Sequence, residues 1–260
     1  YPGWYLNNWK KMNSIMSFYY HKADYVFYQS IFCKNSADKF LGERKGKGEI
    51  LYNAIDTNIF KPKDIKNKTF TFLITGKIDF NLSYRIECSI LGLNYAIKKG
   101  LDAQIIIAGE IDKNTVNKNL LIAKKLNLIE RIKFLGPYNQ EQAVDIYQMA
   151  DAYIMMKYLD PCPNSVIEAL SCGLPVLYLL SGGTPELVDN KAGIGLKVRE
   201  SWNEKNITPT PKQIGEGMIE IYKKHDVFKK NARKSAIKKF EIKKWIIKHE
   251  LIFKKLLNNE

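Results

Sequence analysis

The chain is poor in the residues that build metal sites and covalent staples. Its four cysteines (Cys33, Cys88, Cys162, Cys172) form no C-x-x-C pair. A disulfide framework and a zinc knuckle are therefore not indicated, and a reducing, cytoplasmic setting is expected. The three histidines lie far apart and show no metal-ligand spacing. Long apolar runs are missing too. The longest nearly uncharged stretch, Leu170 to Leu187, is interrupted by Pro175 and by Gly173, Gly182 and Gly183, so it reads as helix-turn-strand rather than a membrane span. No leader pattern is visible, and a chain that opens on Tyr1 reads as a piece of a longer protein. Gly42 to Gly48 is glycine- and lysine-rich but lacks the spacing and the Lys-Ser/Thr ending of a phosphate loop, which leaves a charged surface turn.

What the chain does have is positive charge. Its formal net charge is +14 over 260 residues, which admits nucleic acid, anionic membrane or phosphorylated ligands as partners. The lysines are scattered, however, and only Lys229 to Lys255 is dense. That segment is a candidate for peripheral membrane contact, and no nucleic-acid partner is expected. Apolar residues make up 45% of the chain, enough for a sizeable core.

The pattern along the chain alternates. An aromatic-rich helix is expected over 1–22, with Trp4, Trp9, Phe18 and Tyr19 on its packing faces. A strand over 23–30, a helix from Ser30 to Leu41 and a short strand from Ile50 to Asn53 follow, and then a polar linker over 56–68. Strands are expected at 70–75, 103–108, 132–135, 152–156 and about 174–180. Helices fall between them at 82–99, 117–126, 140–149 and about 165–172. Two helices, 212–224 and 229–257, close the chain, the last long, basic and amphipathic. This spacing implies βαβ units and a doubly wound parallel α/β sheet of Rossmann-like type, whose ligands sit at the carboxyl ends of the strands.

The segment from Asp160 to Glu186 lies on that rim. It sets Asp160 and Glu168 eight residues apart, then runs through a helix, a buried strand and the Gly182-Gly183 turn. Glu168 has two readings. With Ser165 as N-cap it is the third residue of a capping box. Otherwise it is a carboxylate that accepts hydrogen bonds from a sugar, beside a helix N-terminus that attracts an anion. Gly182 and Gly183 would let backbone approach a ligand, and Thr184 would cap the next helix with Pro185 behind it.

These residues resemble the donor-site signature of retaining GT-B glycosyltransferases, family 4 in particular, with its Glu-x7-Glu pattern. Asp160 and Glu168 take the acidic places, and Asn164, Ala169, Gly173, Pro175, Val176, Gly182, Gly183 and Glu186 match as well. Tyr52 to Pro62, Thr75-Gly76-Lys77-Ile78, Ile107 to Glu110 and Phe134-Leu135-Gly136 resemble further family motifs in the family's order, so the resemblance covers about residues 23–255. It implies that Glu168 binds the donor ribose and Asp160 the transferred sugar, with aspartate one methylene shorter than the usual glutamate. Pro163, Asn164 and Ser165 would approach the sugar and diphosphate. Lys77 stands where the family has arginine, and Lys offers a point charge rather than a fork. Arg85 is the candidate for the second diphosphate cation, against a solvated helix residue. Tyr138 would stack on the base, against simple packing.

The resemblance implies three regions. Residues 1–62 are the tail of an N-terminal GT-B domain and a linker. Residues 63–228 are the nucleotide-sugar-binding domain. Residues 229–260 are a basic crossover helix. The expected reaction is transfer of a sugar, with retention and without a metal or other cofactor, from a nucleotide-diphosphate sugar to a glycan or lipid-linked acceptor. The alternative is a nucleotide-sugar-binding module without turnover. A sugar-nucleotide epimerase lacks its histidine pattern here, and His21 matches no family motif. A purely polyanion-binding protein rests on charge alone.

Overall fold

The structure is a computed structural model that describes residues 8–63, 67–189, 191–202, 204 and 206–258. In chain order its elements are α1 (Trp9–Lys22), β1 (Tyr25–Tyr28), α2 (Ile31–Leu41), β2 (Lys47–Ile50), β3 (Phe70–Thr75), α3 (Tyr84–Lys98), β4 (Ala103–Ala108), α4 (Lys113–Lys125), β5 (Ile132–Gly136) and α5 (Gln140–Gln148). Then follow β6 (Ala152–Met155), α6 (Asn164–Ser171), β7 (Val176–Leu179), α7 (Thr184–Leu187), β8 (Gly193–Leu196), α8 (Pro211–Lys223), α9 (His225–Lys239) and α10 (Ile242–Leu257).

Six strands form one parallel sheet in the order β5-β4-β3-β6-β7-β8. This is the doubly wound order, and it reverses direction between β3 and β6. The strands are apolar on both faces, as a sheet covered on both sides requires. Phe72 and Ile74 of β3 face one core with Ile105, Ile107 and Ile154, and α3, α4 and α8 cover it. Leu73 faces the other with Ile106, Tyr153 and Tyr178, under α5, α6 and α9. Side chains show the period of two that β geometry dictates.

Helix starts follow local chemistry. Asp112 accepts from Asn114 N and Thr115 N, so α4 begins four residues before the expected Asn117. Capping boxes open α5 (Asn139 with Gln142) and α8 (Thr210 with Gln213). At the chain's beginning β1 and β2 pair in parallel as a second, two-stranded sheet, and β2 lies three residues before the strand expected at Ile50.

Three expectations are overturned. First, Phe18 and Tyr19 are exposed. α1 packs on one side only, through Met16 and Tyr20 against Tyr28, Ala37 and Leu41. Trp9 does pack, edge-on against Phe40, while Trp4 lies outside the described residues. Second, the long basic helix is two helices. Phe240 O accepts from Ile55 N (2.8 Å) and Ile242 N donates to Ile55 O (3.0 Å), so the backbone at Phe240–Glu241 bonds across to Ile55. Neither proline nor glycine marks this break. Third, the sheet does not stop at β7. The edge strand β8 reads Gly-Ile-Gly-Leu, which has low intrinsic strand preference. A Cβ on its Gly193 would lie 2.1 Å from Val176 O.

Candidate functional site

The site lies where the strand order reverses, at the carboxyl ends of β3 and β6. Arg85, in the first turn of α3, spans that gap. Its Nη2 donates to Thr75 O at 3.3 Å and lies 3.9 Å from Met155 Sδ. Arg85 is 4% exposed, and its Nε has no hydrogen-bond partner among the described residues. None of the ion pairs among the described residues includes it. A solvated helix residue is thereby excluded: the turn that carries Arg85 is tucked under the strand ends. A buried guanidinium with only neutral partners is costly unless an anion completes it. Lys77, by contrast, is exposed on the rim and paired with Glu110 at 3.0 Å.

Glu168 does not belong to a capping box. α6 starts two residues earlier than that reading needs, with Pro163 as N-cap and no side-chain cap. Ser165 is therefore already inside the helix. The Glu168 carboxylate points instead to α5, where Tyr147 donates to its Oε2 at 2.6 Å. Behind Tyr147, the Thr75 hydroxyl lies 3.1 Å from the Tyr147 hydroxyl and 2.9 Å from that of Tyr153. Burial raises the Glu168 carboxyl above its ordinary range, and the Tyr147 hydrogen bond opposes that shift. Tyr138, half-buried against the second core, faces the same group, and burial raises its phenol.

The N-terminus of α6 keeps its first N–H groups free of any side-chain cap, so it presents a positive dipole end. Asn164 is exposed, and its Oδ1 accepts from Asn53 Nδ2 at 2.7 Å. Asp160 is buried. Its Oδ2 pairs with Lys157 at 2.8 Å, and its Oδ1 accepts from Cys162 N at 3.2 Å. Burial pushes the Cys162 thiol up to about 12, so it stays protonated and is no nucleophile.

Gly182 and Gly183 pack closely against the loop that carries Asp160. A Cβ on Gly182 would meet Asp160 O at 2.4 Å, and one on Gly183 would meet Pro161 O at 1.9 Å. Gly183 N donates to Asp160 O at 2.8 Å. The helix after them is capped by Gly183, not by Thr184. Leu159, at the foot of the same loop, is buried at φ 52°, a backbone strain that packing must hold.

Residues near the start of the chain complete the rim, and most carried no sequence signal. Ser30 caps α2 by accepting from Cys33 N and also donates to Pro161 O at 2.7 Å. Glu186 accepts from Ile31 N (2.7 Å) and Phe32 N (2.9 Å), so its carboxylate sits on the N-terminus of α2. Tyr147 and Tyr153 belong to no motif of the sequence, and Thr75 enters only as the first residue of Thr75-Gly76-Lys77-Ile78. The available hint was a tyrosine inside an apolar run, since a buried phenol needs a partner. The structure thus brings Arg85, Thr75, Tyr147, Tyr153 and Glu168 together at the strand reversal. It gathers Asp160, Gly182 and Gly183 in the neighbouring loop pair. No cluster of His, Cys, Asp or Glu able to hold a metal occurs among the described residues.

Known structures share this architecture. Sucrose-phosphate synthase from Thermosynechococcus elongatus superposes with a TM-score of 0.75 at 16% identity, covering 96% of this chain and 63% of that one. Anabaena Alr3699/HepE, solved with UDP and glucose, gives 0.71 at 19%, covering 95% and 67%. At such identities the likeness speaks for the fold alone, and that fold is the GT-B α/β type. The sequence carries the assignment further: the chain belongs to the family Glycosyl transferases group 1, whose model matches residues 57–235. It is 26% identical over 170 residues to a probable sucrose-phosphate synthase of Thermosipho melanesiensis, covering 62% of this chain and 39% of that protein. It is 21% identical over 259 residues to N-acetyl-alpha-D-glucosaminyl L-malate synthase of Bacillus anthracis, covering 96% and 64%. The chain therefore spans less than two thirds of the length of these two relatives.

Proposed function

We propose that the chain is the donor-binding portion of a retaining glycosyltransferase that uses a nucleotide-diphosphate sugar. The observation that carries this reading is Arg85, a buried cation without an anionic partner at the strand reversal. A diphosphate there would supply the missing charge, with the uncapped N-terminus of α6 as a second anchor. Glu168 would accept from the ribose hydroxyls through Oε1, since Oε2 is held by Tyr147. Asp160, Pro163, Asn164 and Ser165 would line the sugar and diphosphate, Tyr138 the base, and Lys77 the outer phosphate. In this reading charge neutralisation falls to protein groups without a metal, and a glycan or lipid-linked acceptor is placed by chain beyond this portion. Relatives solved with UDP and with UDP-glucose support the donor class.

The regions follow: 1–62 as the end of an N-terminal domain with its linker, 63–228 as the donor domain, 229–260 as the basic C-terminal segment. Setting is left to function: no helix of the described residues is long and apolar enough to cross a membrane, and peripheral contact through the basic α10 belongs to the proposal. One observation favours a binding module without turnover. Both Asp160 oxygens are engaged by the protein itself, so that carboxylate is less free to act on a sugar.

Thermal unfolding with and without UDP, GDP and ADP tests donor binding. At least one should raise the midpoint, and Glu168→Ala should remove most of the rise; no shift with any of them would sink the proposal. Release of sugar from the matching nucleotide-sugar separates enzyme from binding module.

A further inference from the structure

We propose that Tyr147 is a positioning residue that aims the Glu168 carboxylate at the ribose of the donor, from within a buried network of hydroxyls. This rests on the donor-site reading of Glu168. An ionised carboxylate only accepts, so at 2.6 Å Tyr147 must donate to Glu168 Oε2. Its phenol oxygen is then left to accept, from the Thr75 hydroxyl at 3.1 Å or from Tyr138 beside it. The Thr75 hydroxyl also lies 2.9 Å from that of Tyr153, which Ser165 reaches in turn. Tyr153, Thr75, Tyr147 and Glu168 thus form one connected hydroxyl network whose last bond runs to Glu168, and such bonds polarise one another.

Three of the four members are buried, Tyr147 and Tyr153 completely. They come from four separate elements: β3, α5, β6 and α6. Rings hold the phenols in place, with Tyr147 edge-on to Phe60 and tilted against Tyr153. The Glu168 side chain, otherwise free at three torsions, is thereby fixed by one oxygen. Among the described residues no protein donor reaches the other oxygen, which is left for two adjacent hydroxyls of a sugar.

The same bond tunes charge. Tyr147 from α5, Tyr138 before α5, Tyr153 from β6 and Cys172 at the end of α6 are the titratable groups that face Glu168. All four have their pKa values raised mainly by burial, so they stay neutral near pH 7. Burial also raises Glu168, and the Tyr147 bond pulls it back. Without that bond the carboxyl takes a proton at higher pH and stops accepting there.

The test is calorimetric titration of the wild-type chain, Tyr147→Phe and Glu168→Gln with UDP, GDP, ADP and their 2′- and 3′-deoxy counterparts. Phenylalanine keeps the ring packing, and unchanged affinity for the deoxy compound reports an intact pocket. Wild type should prefer the ribonucleotide about tenfold, the worth of one good hydrogen bond to a charged group. Tyr147→Phe should lose most of that preference, and the acid limb of its binding should move to higher pH. A wild-type preference abolished by Glu168→Gln but unchanged in Tyr147→Phe, with an unmoved acid limb, overturns the positioning role alone. Absence of any ribose preference in the wild type overturns both this role and the donor-site reading of Glu168.

Discussion

Arg85 holds a full charge where a hydrocarbon would fold more easily. Its partners are one carbonyl and one thioether, and neither balances a guanidinium. Residues kept against their folding cost tend to serve binding. Arg85→Met should therefore leave the apo chain as stable or stabilise it by about 1 kcal/mol, while nucleoside diphosphate binding drops. Urea unfolding together with titration checks both halves. A variant that is clearly less stable yet binds as before would make Arg85 a structural cation. At this scale the sequence was partly legible. Its acidic pair singled out Glu168 and Asp160, but the capping-box reading of Glu168 was a matter of two residues in the helix start. Tyr147 lay beyond reach, because its partners Thr75 and Glu168 are 72 and 21 residues away.

At the scale of elements, most boundaries set by glycine or by side-chain caps were readable, the Asp112 cap of α4 excepted. β3 and β4 fall where the apolar runs place them. Boundaries set by distant backbone were not. The break between α9 and α10 exists because Ile55 takes the hydrogen bonds there, and Ile55 is nearly two hundred residues upstream. β8 likewise forms because β7 offers an edge, not because Gly-Ile-Gly-Leu favours extension. The turn before α7 gives a prediction of the same kind. Gly183→Ala should cost about 1–3 kcal/mol, because the added methyl would sit 1.9 Å from Pro161 O and 2.8 Å from Ser30 Oγ. The unfolding midpoint in urea measures it. A loss below about 0.5 kcal/mol would mean the two loops part easily.

For the molecule as a whole, the decisive contacts join the first fifty-odd residues to the rim at the strand ends. Glu186 receives two N–H groups of α2, Ser30 reaches Pro161, and Asn53 reaches Asn164. Arg233 of α9 ties the carbonyls of Thr57, Phe60 and Ser171 together, so the linker is anchored from the other end of the chain. Glu186→Ala leaves α2 with two unpaired N–H groups and should expose α1 to β2 to limited proteolysis, with a stability loss of about 1–2 kcal/mol. Cleavage within residues 8–50 should appear before cleavage of the six-stranded sheet. Equal resistance of mutant and wild type would show that the apolar contacts of α2 suffice.

The close seating of Gly182 and Gly183 on the Asp160 loop has a consequence for altering this protein. One wall of the rim is main chain against main chain, with no side chain between to trim or enlarge. Point substitutions there can break the wall but cannot reshape it. A change of sugar preference by exchange with a relative would have to transplant residues 157–164 and 181–186 as a matched pair, since either half alone would meet a backbone cut for a different mate.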